Sequence, residues 1–121
     1  MTNQPAREMT ANERLLLARL LETPFPGSDA VAQQLQNCLV RPVGSNGTLD
    51  FLIGAGPKAE VRTSVPVEAE AEDIDGITIH ALLHVIEGTV VGLEVYKEDS
   101  SQVIKMPAPS ELRIFIPQTS P

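Results

Sequence analysis

Polar and apolar residues alternate with a period of two across the second half of the chain, most regularly over residues 59–73 and 77–86. This period is typical of β-strands that bury one face and expose the other. Turn glycines at Gly76 and Gly88 mark where strands end. The pattern predicts antiparallel strands, the first of them long and interrupted by a bulge or an unpaired amide at Pro66.

The register of these strands follows from matching their apolar faces, because a slip of one residue turns every side chain over. A two-residue turn at Asp75-Gly76 would place Glu72 beside Ile79 and mix the two faces. A three-residue loop at 74–76 instead pairs Ala71 with Ile79 and keeps the apolar residues together.

The same requirement predicts a second three-residue loop at 87–89, which pairs Val85 with Val91 and Leu83 with Leu93. The outer face of the sheet then carries three lateral rows: Glu70, His80 and Tyr96; then Glu68, Leu82 and Glu94; then Pro66, His84 and Gly92.

The first third of the chain has helical spacing. Thr10-x-x-Glu13 is a capping box, in which each residue satisfies a backbone amide of the other. Pro24 ends this helix, because the residue before a proline avoids helical geometry. The first helix is therefore predicted at 11–22, and its apolar stripe consists of Leu16, Leu17, Leu20 and Leu21.

A second helix is predicted at 28–38. Ser28 is expected to be its N-cap, with Asp29 in the positive first turn. The two helices should form a hairpin. The apolar face of the second helix is Val31, Leu35 and Cys38.

Short strands are predicted at 40–43 and 48–53, and a final one near 112–116. Pro42 cannot donate a ladder hydrogen bond, which makes the first of these an edge strand. The fold class is thus α+β, with an N-terminal helical hairpin packed on one face of an antiparallel β-sheet of about five to six strands.

The whole chain, residues 1–121, is expected to be a single domain. Residues 1–8 and 117–121 are expected to be frayed.

Charge narrows the choice of partners. Sixteen acidic residues against nine basic ones give a net charge of −7. Such a surface repels a phosphate backbone, so no nucleic acid is expected, whereas a basic partner is attracted. No apolar run is long enough to span a membrane and no secretory signal is visible, so we expect a cytoplasmic protein without a membrane partner.

Three groups of residues raise the question of chemistry. His80 and His84 have the spacing of a metal pair on a helix, but on a strand they lie ~13 Å apart and cannot share an ion. The acidic run at 68–72 lies on a flat sheet face rather than in a cleft. Cys38 is a lone cysteine and is expected to be a buried, inert thiol. We therefore predict no catalytic residue, no cofactor and no metal.

The segment that begins with Asp75-Gly76 and ends with Lys97-x-Asp99, with Gly88 and Leu93-Glu94-Val95-Tyr96 between them, resembles a bacterial family of small domains of unknown function. The resemblance covers about residues 7–116 and implies an α+β sandwich without assigned catalytic residues. Similar small acidic proteins act as immunity proteins beside bacterial toxin genes, so the resemblance implies a similar role here.

These observations predict a non-enzymatic protein-binding protein, an immunity protein or antitoxin that neutralises a cognate toxin with a basic surface. The alternative is a regulatory or housekeeping homodimeric module with an unknown ligand. An edge strand and the helices are the other surfaces that could bind. The residues predicted to contact the partner are Glu68, Glu70, Glu72, Asp75, His80, Leu82, Glu94 and Tyr96.

Overall fold

The computed structural model describes residues 4–117 and has the predicted α+β architecture. All neighbouring strands are antiparallel, and their order across the sheet is β1-β2-β5-β4-β3-β6. A 3-10 turn at Pro109–Glu111 precedes the last strand. The elements are α1 (Ala11–Leu20), α2 (Ser28–Gln36), β1 (Cys38–Val43), β2 (Thr48–Ile53), β3 (Val67–Glu72), β4 (Thr78–Ile86), β5 (Thr89–Lys97) and β6 (Arg113–Phe115).

Both helices pack on the same face of the sheet, and one aliphatic core lies between the two layers. Val31 of α2 and Leu20 of α1 are fully buried, as are Val67 and Leu83 of the sheet. Burial of this apolar surface is the main favourable term in folding. The opposite face of the sheet has no covering element within residues 4–117, and its side chains are half-buried or exposed.

The capping box starts α1 as predicted. The Thr10 hydroxyl accepts a hydrogen bond from the Glu13 amide at 3.1 Å, and the Glu13 carboxylate accepts one from the Thr10 amide at 2.9 Å. Arg7 adds an ion pair to Glu13 at 2.8 Å. These contacts fix the start of the helix and tie the preceding segment to it.

Two details of α2 differ from the prediction. Gly27, with φ +90°, occupies the N-cap position, and the Ser28 hydroxyl accepts from the Phe25 amide at 3.3 Å instead of capping the helix. The helix ends at Gln36, so Cys38 begins β1 rather than extending the helical face. A glycine suits this tight entry because it adopts positive φ without steric cost.

Arg7, within the N-terminal segment expected to be frayed, is bonded to the sheet. This residue forms a bridge with Val40 of β1, in which the two backbones exchange hydrogen bonds of 2.9 and 2.7 Å. Residues 1–3 and 118–121 lie outside the described residues. Pro42 lies in β1, which is an edge strand as predicted.

The first hairpin confirms the predicted three-residue loop. The Asp73 amide donates to the Ile77 carbonyl at 2.9 Å, and Ala71 pairs with Ile79. Gly76 has φ +83°, the left-handed geometry that this loop type requires.

The second hairpin differs at its tip. Its loop is the two-residue turn Glu87-Gly88, with φ of 50° and 81°. Val85 consequently pairs with Val90 rather than Val91, and a bulge after His84 absorbs the extra residue. A turn with two positive φ values matches the twist of the strands, and the bulge keeps both faces in register.

The long strand predicted at 59–73 is shorter, because β3 is confined to Val67–Glu72. Pro66 has no amide to donate, and the preceding segment runs across the β4-β5 hairpin instead. There Ser64 accepts from the Val85 amide at 2.8 Å, and the Ala59 amide donates to Gly88 at 2.8 Å. Pro66 therefore does not extend the outer row of His84 and Gly92.

Gln34 fastens α2 to this crossing segment and to the hairpin. Its side chain is buried, donates to the carbonyls of Pro57 and Gly88 at 2.7 and 2.8 Å, and accepts from the Val90 amide at 2.9 Å. Backbone groups buried without a partner are costly. The amide side chain thus satisfies three backbone groups that the sheet does not pair.

Replacing Gln34 with leucine should lower the free energy of unfolding by about 3 kcal/mol, since it leaves the buried Val90 amide unpaired and removes the bonds to the Pro57 and Gly88 carbonyls. Urea denaturation measures the change. The matched control is Gln33→Leu on the exposed side of the same helix, which should change stability by less than about 0.5 kcal/mol. Equal losses in the two variants would contradict the role assigned to Gln34.

Candidate protein-binding face

The uncovered side of the sheet brings the predicted surface residues together. We call it the outer face and define it by the outward side chains of β3, β4, β5 and β6, together with Glu98. The register places Glu70, His80 and Tyr96 in one row and Glu68, Leu82 and Glu94 in the next, as predicted. The last strand extends both rows, because Arg113 pairs with Glu70 and Phe115 with Glu68.

The centre of the outer face is apolar and aromatic. The Tyr96 ring stacks on the His80 ring with centroids 4.9 Å apart and planes at 20°. Tyr96 is 39% exposed, and Leu82 lies half-buried in the neighbouring row. Phe115, 46% exposed, extends that row at the edge strand β6. Large side chains held in place by neighbours, yet open to solvent, are the kind that anchor protein interfaces.

Each histidine of the outer face pairs with a carboxylate. His80 Nε2 bonds to Glu98, and its Nδ1 lies 3.8 Å from Glu70. His84 Nε2 lies 2.9 Å from Glu94 Oε1. These contacts hold the carboxylates beside the aromatic centre.

The phenol of Tyr96 is part of the same electrostatic environment. Burial raises the pKa of Tyr96, and the carboxylates of Glu98 and Glu94 raise it further. The hydroxyl is therefore a neutral hydrogen-bond group at physiological pH.

Arg113 partly neutralises the predicted acidic run. Its guanidinium bonds to Glu72 at 2.5 and 3.0 Å and to Glu70 at 3.2 Å. The hydrogen bond from Arg113 lowers the pKa of Glu72, and the two carboxylates raise the pKa of Arg113. Sequence reasoning missed this residue, because only the placement of β6 beside β3 brings it here.

Asp75 does not lie with the other predicted contact residues. Its carboxylate is 2.6 Å from the ammonium of Lys97, a side chain that is only 1% exposed and lies on the core side of β5. It also accepts from the Ile77 amide at 3.1 Å inside the hairpin loop. Its role is thus to hold this end of the sheet together, and we leave it out of the outer face.

Asp73 completes this buried network. It lies 3.1 Å from the Lys97 ammonium and accepts three amide hydrogen bonds, from Ile74, Ile104 and Lys105, at 2.7–3.0 Å. Burial alone raises the pKa of Asp73, but these donors outweigh it and hold the pKa at about 2. The network pins residues 104–105 across the end of the sheet.

Neither the cysteine nor the acidic and histidine side chains of residues 4–117 form a metal site. Cys38 is buried, its thiol lies 3.5 Å from the Leu35 carbonyl, and burial raises its pKa. The described residues contain no group of three or more His, Cys, Asp or Glu side chains able to hold a metal ion. No helix in this part of the chain is long and apolar enough to cross a membrane.

Comparison with known proteins gives one finding. Residues 6–107 match the model of a protein family described as a domain of unknown function, DUF6984. The match spans α1 to β5 and the segment that Asp73 holds in place. No curated protein and no solved structure gives a significant match.

Proposed function

The chain belongs to the DUF6984 family of domains of unknown function, and from its outer face we propose that it is a non-enzymatic protein that binds and neutralises a protein partner, a bacterial toxin domain. The observation that carries the proposal is an uncovered sheet face on which Tyr96 and Leu82 lie among carboxylates. A partially exposed aromatic residue with a charged surround is the usual composition of an interface anchor.

The sheet edges are poor alternatives for binding. The bridge between Arg7 and Val40 occupies part of the β1 edge, and Pro42 in the same strand has no amide to offer. At the other edge, β6 is only three residues long. Short or blocked edges do not template an added strand, so the open face is the better surface.

The charge of the outer face favours a basic partner over a second copy of the chain. Glu68, Glu94 and Glu98 make no ion pair with a lysine or arginine among residues 4–117. A partner with a basic surface would be steered towards them, whereas two copies would bring like charges together. The alternative of a homodimeric module therefore becomes an outcome of the test.

A growth assay tests the proposal. Each protein encoded beside this gene in the source genome is expressed with and without the chain, and the chain should restore growth where one of them is toxic. Substituting Glu68→Lys and Leu82→Asp together should abolish the rescue, because the pair reverses a charge and removes an anchor.

The control is Glu60→Lys, an exposed position on the segment that crosses the other side of the sheet; it should rescue growth as the wild type does. Circular dichroism verifies that each variant folds. The proposal fails if the wild-type chain gives no protection, and size-exclusion chromatography showing a dimer that Leu82→Asp breaks would favour the homodimeric module.

A further inference from the structure

A cleft of about 260 Å³ opens in the outer face where Gly92 contributes no side chain. Gly92 pairs with Asp50 of β2 on one side and with His84 of β4 on the other, so the cleft lies between two polar side chains. A Cβ atom at Gly92 would lie only 3.0 Å from the Leu49 carbonyl oxygen. The glycine therefore permits the close approach of β2 and leaves the cleft open.

The cleft is negatively charged and has apolar walls. Asp50 and Glu94 both line it, and no lysine or arginine does. His84 also lines it and bonds to one Glu94 oxygen, Oε1, so the other oxygen, Oε2, is the one open to a further partner. The Asp50 side chain is exposed and makes no hydrogen bond or ion pair within residues 4–117. Ile86, 58% exposed, and Val91 provide apolar surface beside the carboxylates.

Arg41, on the neighbouring strand β1, does not line the cleft. Arg41 of β1 is the residue opposite Asp50 in the ladder, but its Nε donates to the Gln4 carbonyl at 2.9 Å. The carboxylate of Asp50 is therefore accessible to a cation from outside the chain.

We propose that this cleft receives an arginine side chain of the protein partner. The inference rests on the proposed function and names the contact that the partner makes. A guanidinium is a planar fork that pairs with carboxylates, here Asp50 and the Glu94 oxygen that His84 does not hold, while its methylene stem packs on Ile86 and Val91. A lysine would place a single point charge between the same carboxylates and lose the forked hydrogen bonding.

The test uses acetyl-arginine-methylamide as a probe, titrated into the ¹⁵N-labelled full chain and followed by NMR. Saturable shifts should concentrate on the amides of Asp50, Val91 and Gly92. Acetyl-citrulline-methylamide is the matched neutral probe and should bind at least threefold more weakly. Asp50→Asn and Glu94→Gln should each weaken arginine binding about threefold, and the distant Glu60→Gln should leave it unchanged.

Two results would overturn the inference: equal binding of the arginine and citrulline probes, or arginine binding that Asp50→Asn leaves intact. Its failure is separable from failure of the proposed function. If growth rescue depends on Glu68 and Leu82 but the probe does not bind the cleft, only this inference fails. If the probe binds the cleft but the chain protects no cell from the toxin, the proposed function fails.

Discussion

Replacing Lys97 with methionine will lower the melting temperature by about 10 °C or more. The Lys97 side chain is 1% exposed and its ammonium lies between the carboxylates of Asp73 and Asp75. Methionine fills nearly the same space, so the change isolates the loss of charge. It leaves the Asp73 carboxylate buried without its cation, and removing one partner of a buried pair is far more damaging than removing a surface pair.

Thermal unfolding followed by circular dichroism measures this effect. The matched control is Lys58→Met, because Lys58 is exposed and, among residues 4–117, its ammonium bonds only to the Thr89 hydroxyl, at 2.8 Å. That variant should melt within about 2 °C of the wild type. Similar shifts in both variants would show that the network around Lys97 contributes little to stability.

Acid should act on the same network through Asp73. Its pKa in the folded protein, about 2, lies below the ordinary value of 3.8. Because folding lowers this pKa, the stabilisation is complete above about pH 4 and is lost as the pH falls towards 2. Denaturant midpoints of the wild type should decline across this range, and Asp73→Asn should decline less steeply.

The fold was predictable where local signals agreed. The alternation in β3 and β4, together with Gly76 in the loop, left one register that matched the apolar faces, and the structure has that register. At Glu87-Gly88 two loops satisfy the same requirement, because a bulge can absorb one residue. Face matching alone could not choose between them.

Alternation was misleading where the ladder ends. Residues 59–65 alternate like a strand, and Ala59 is indeed buried. The segment nevertheless packs on the core without ladder pairing, which begins only after Pro66. An apolar residue at every second position reports which side is buried, not whether a neighbouring strand is bonded. The proline was the better signal.

Two buried polar contacts, at opposite ends of β4, were hidden because their partners are far apart in sequence. Asp75 and Lys97 are 22 residues apart, and Gln34 reaches Gly88 from 54 residues away. From the sequence alone, Lys97 and Gln34 are expected to be exposed, since buried lysines and glutamines are uncommon. Their pairing follows only from the topology. The rows of the outer face were predictable because adjacent hairpins join β3, β4 and β5. Arg113 was not, because β6 reaches β3 through a long connection.

Replacing Tyr96 with alanine will weaken binding of the toxin domain by about 30-fold or more. Tyr96 is the large aromatic at the centre of the outer face, pre-ordered by its stack on His80 and 39% exposed. A side chain that is already fixed in place loses little conformational entropy on binding, so most of its contact energy contributes to affinity. Removing Tyr96 should therefore cost more affinity than removing a flexible side chain of the same size. The loss should lie mainly in a faster dissociation rate, whereas Glu68→Gln should mainly slow association and reduce its dependence on salt.

Surface plasmon resonance with the toxin domain separates the two rates. Tyr96→Phe keeps the ring and its stack and should bind within about threefold of the wild type, which assigns the effect to the ring rather than to the hydroxyl. Leu15→Ala changes a more exposed apolar side chain, 57% exposed, on α1 and should have no effect. Unchanged binding by a folded Tyr96→Ala variant would place the interface elsewhere, because an anchor at the centre of this face cannot be removed without loss of affinity if the partner covers it.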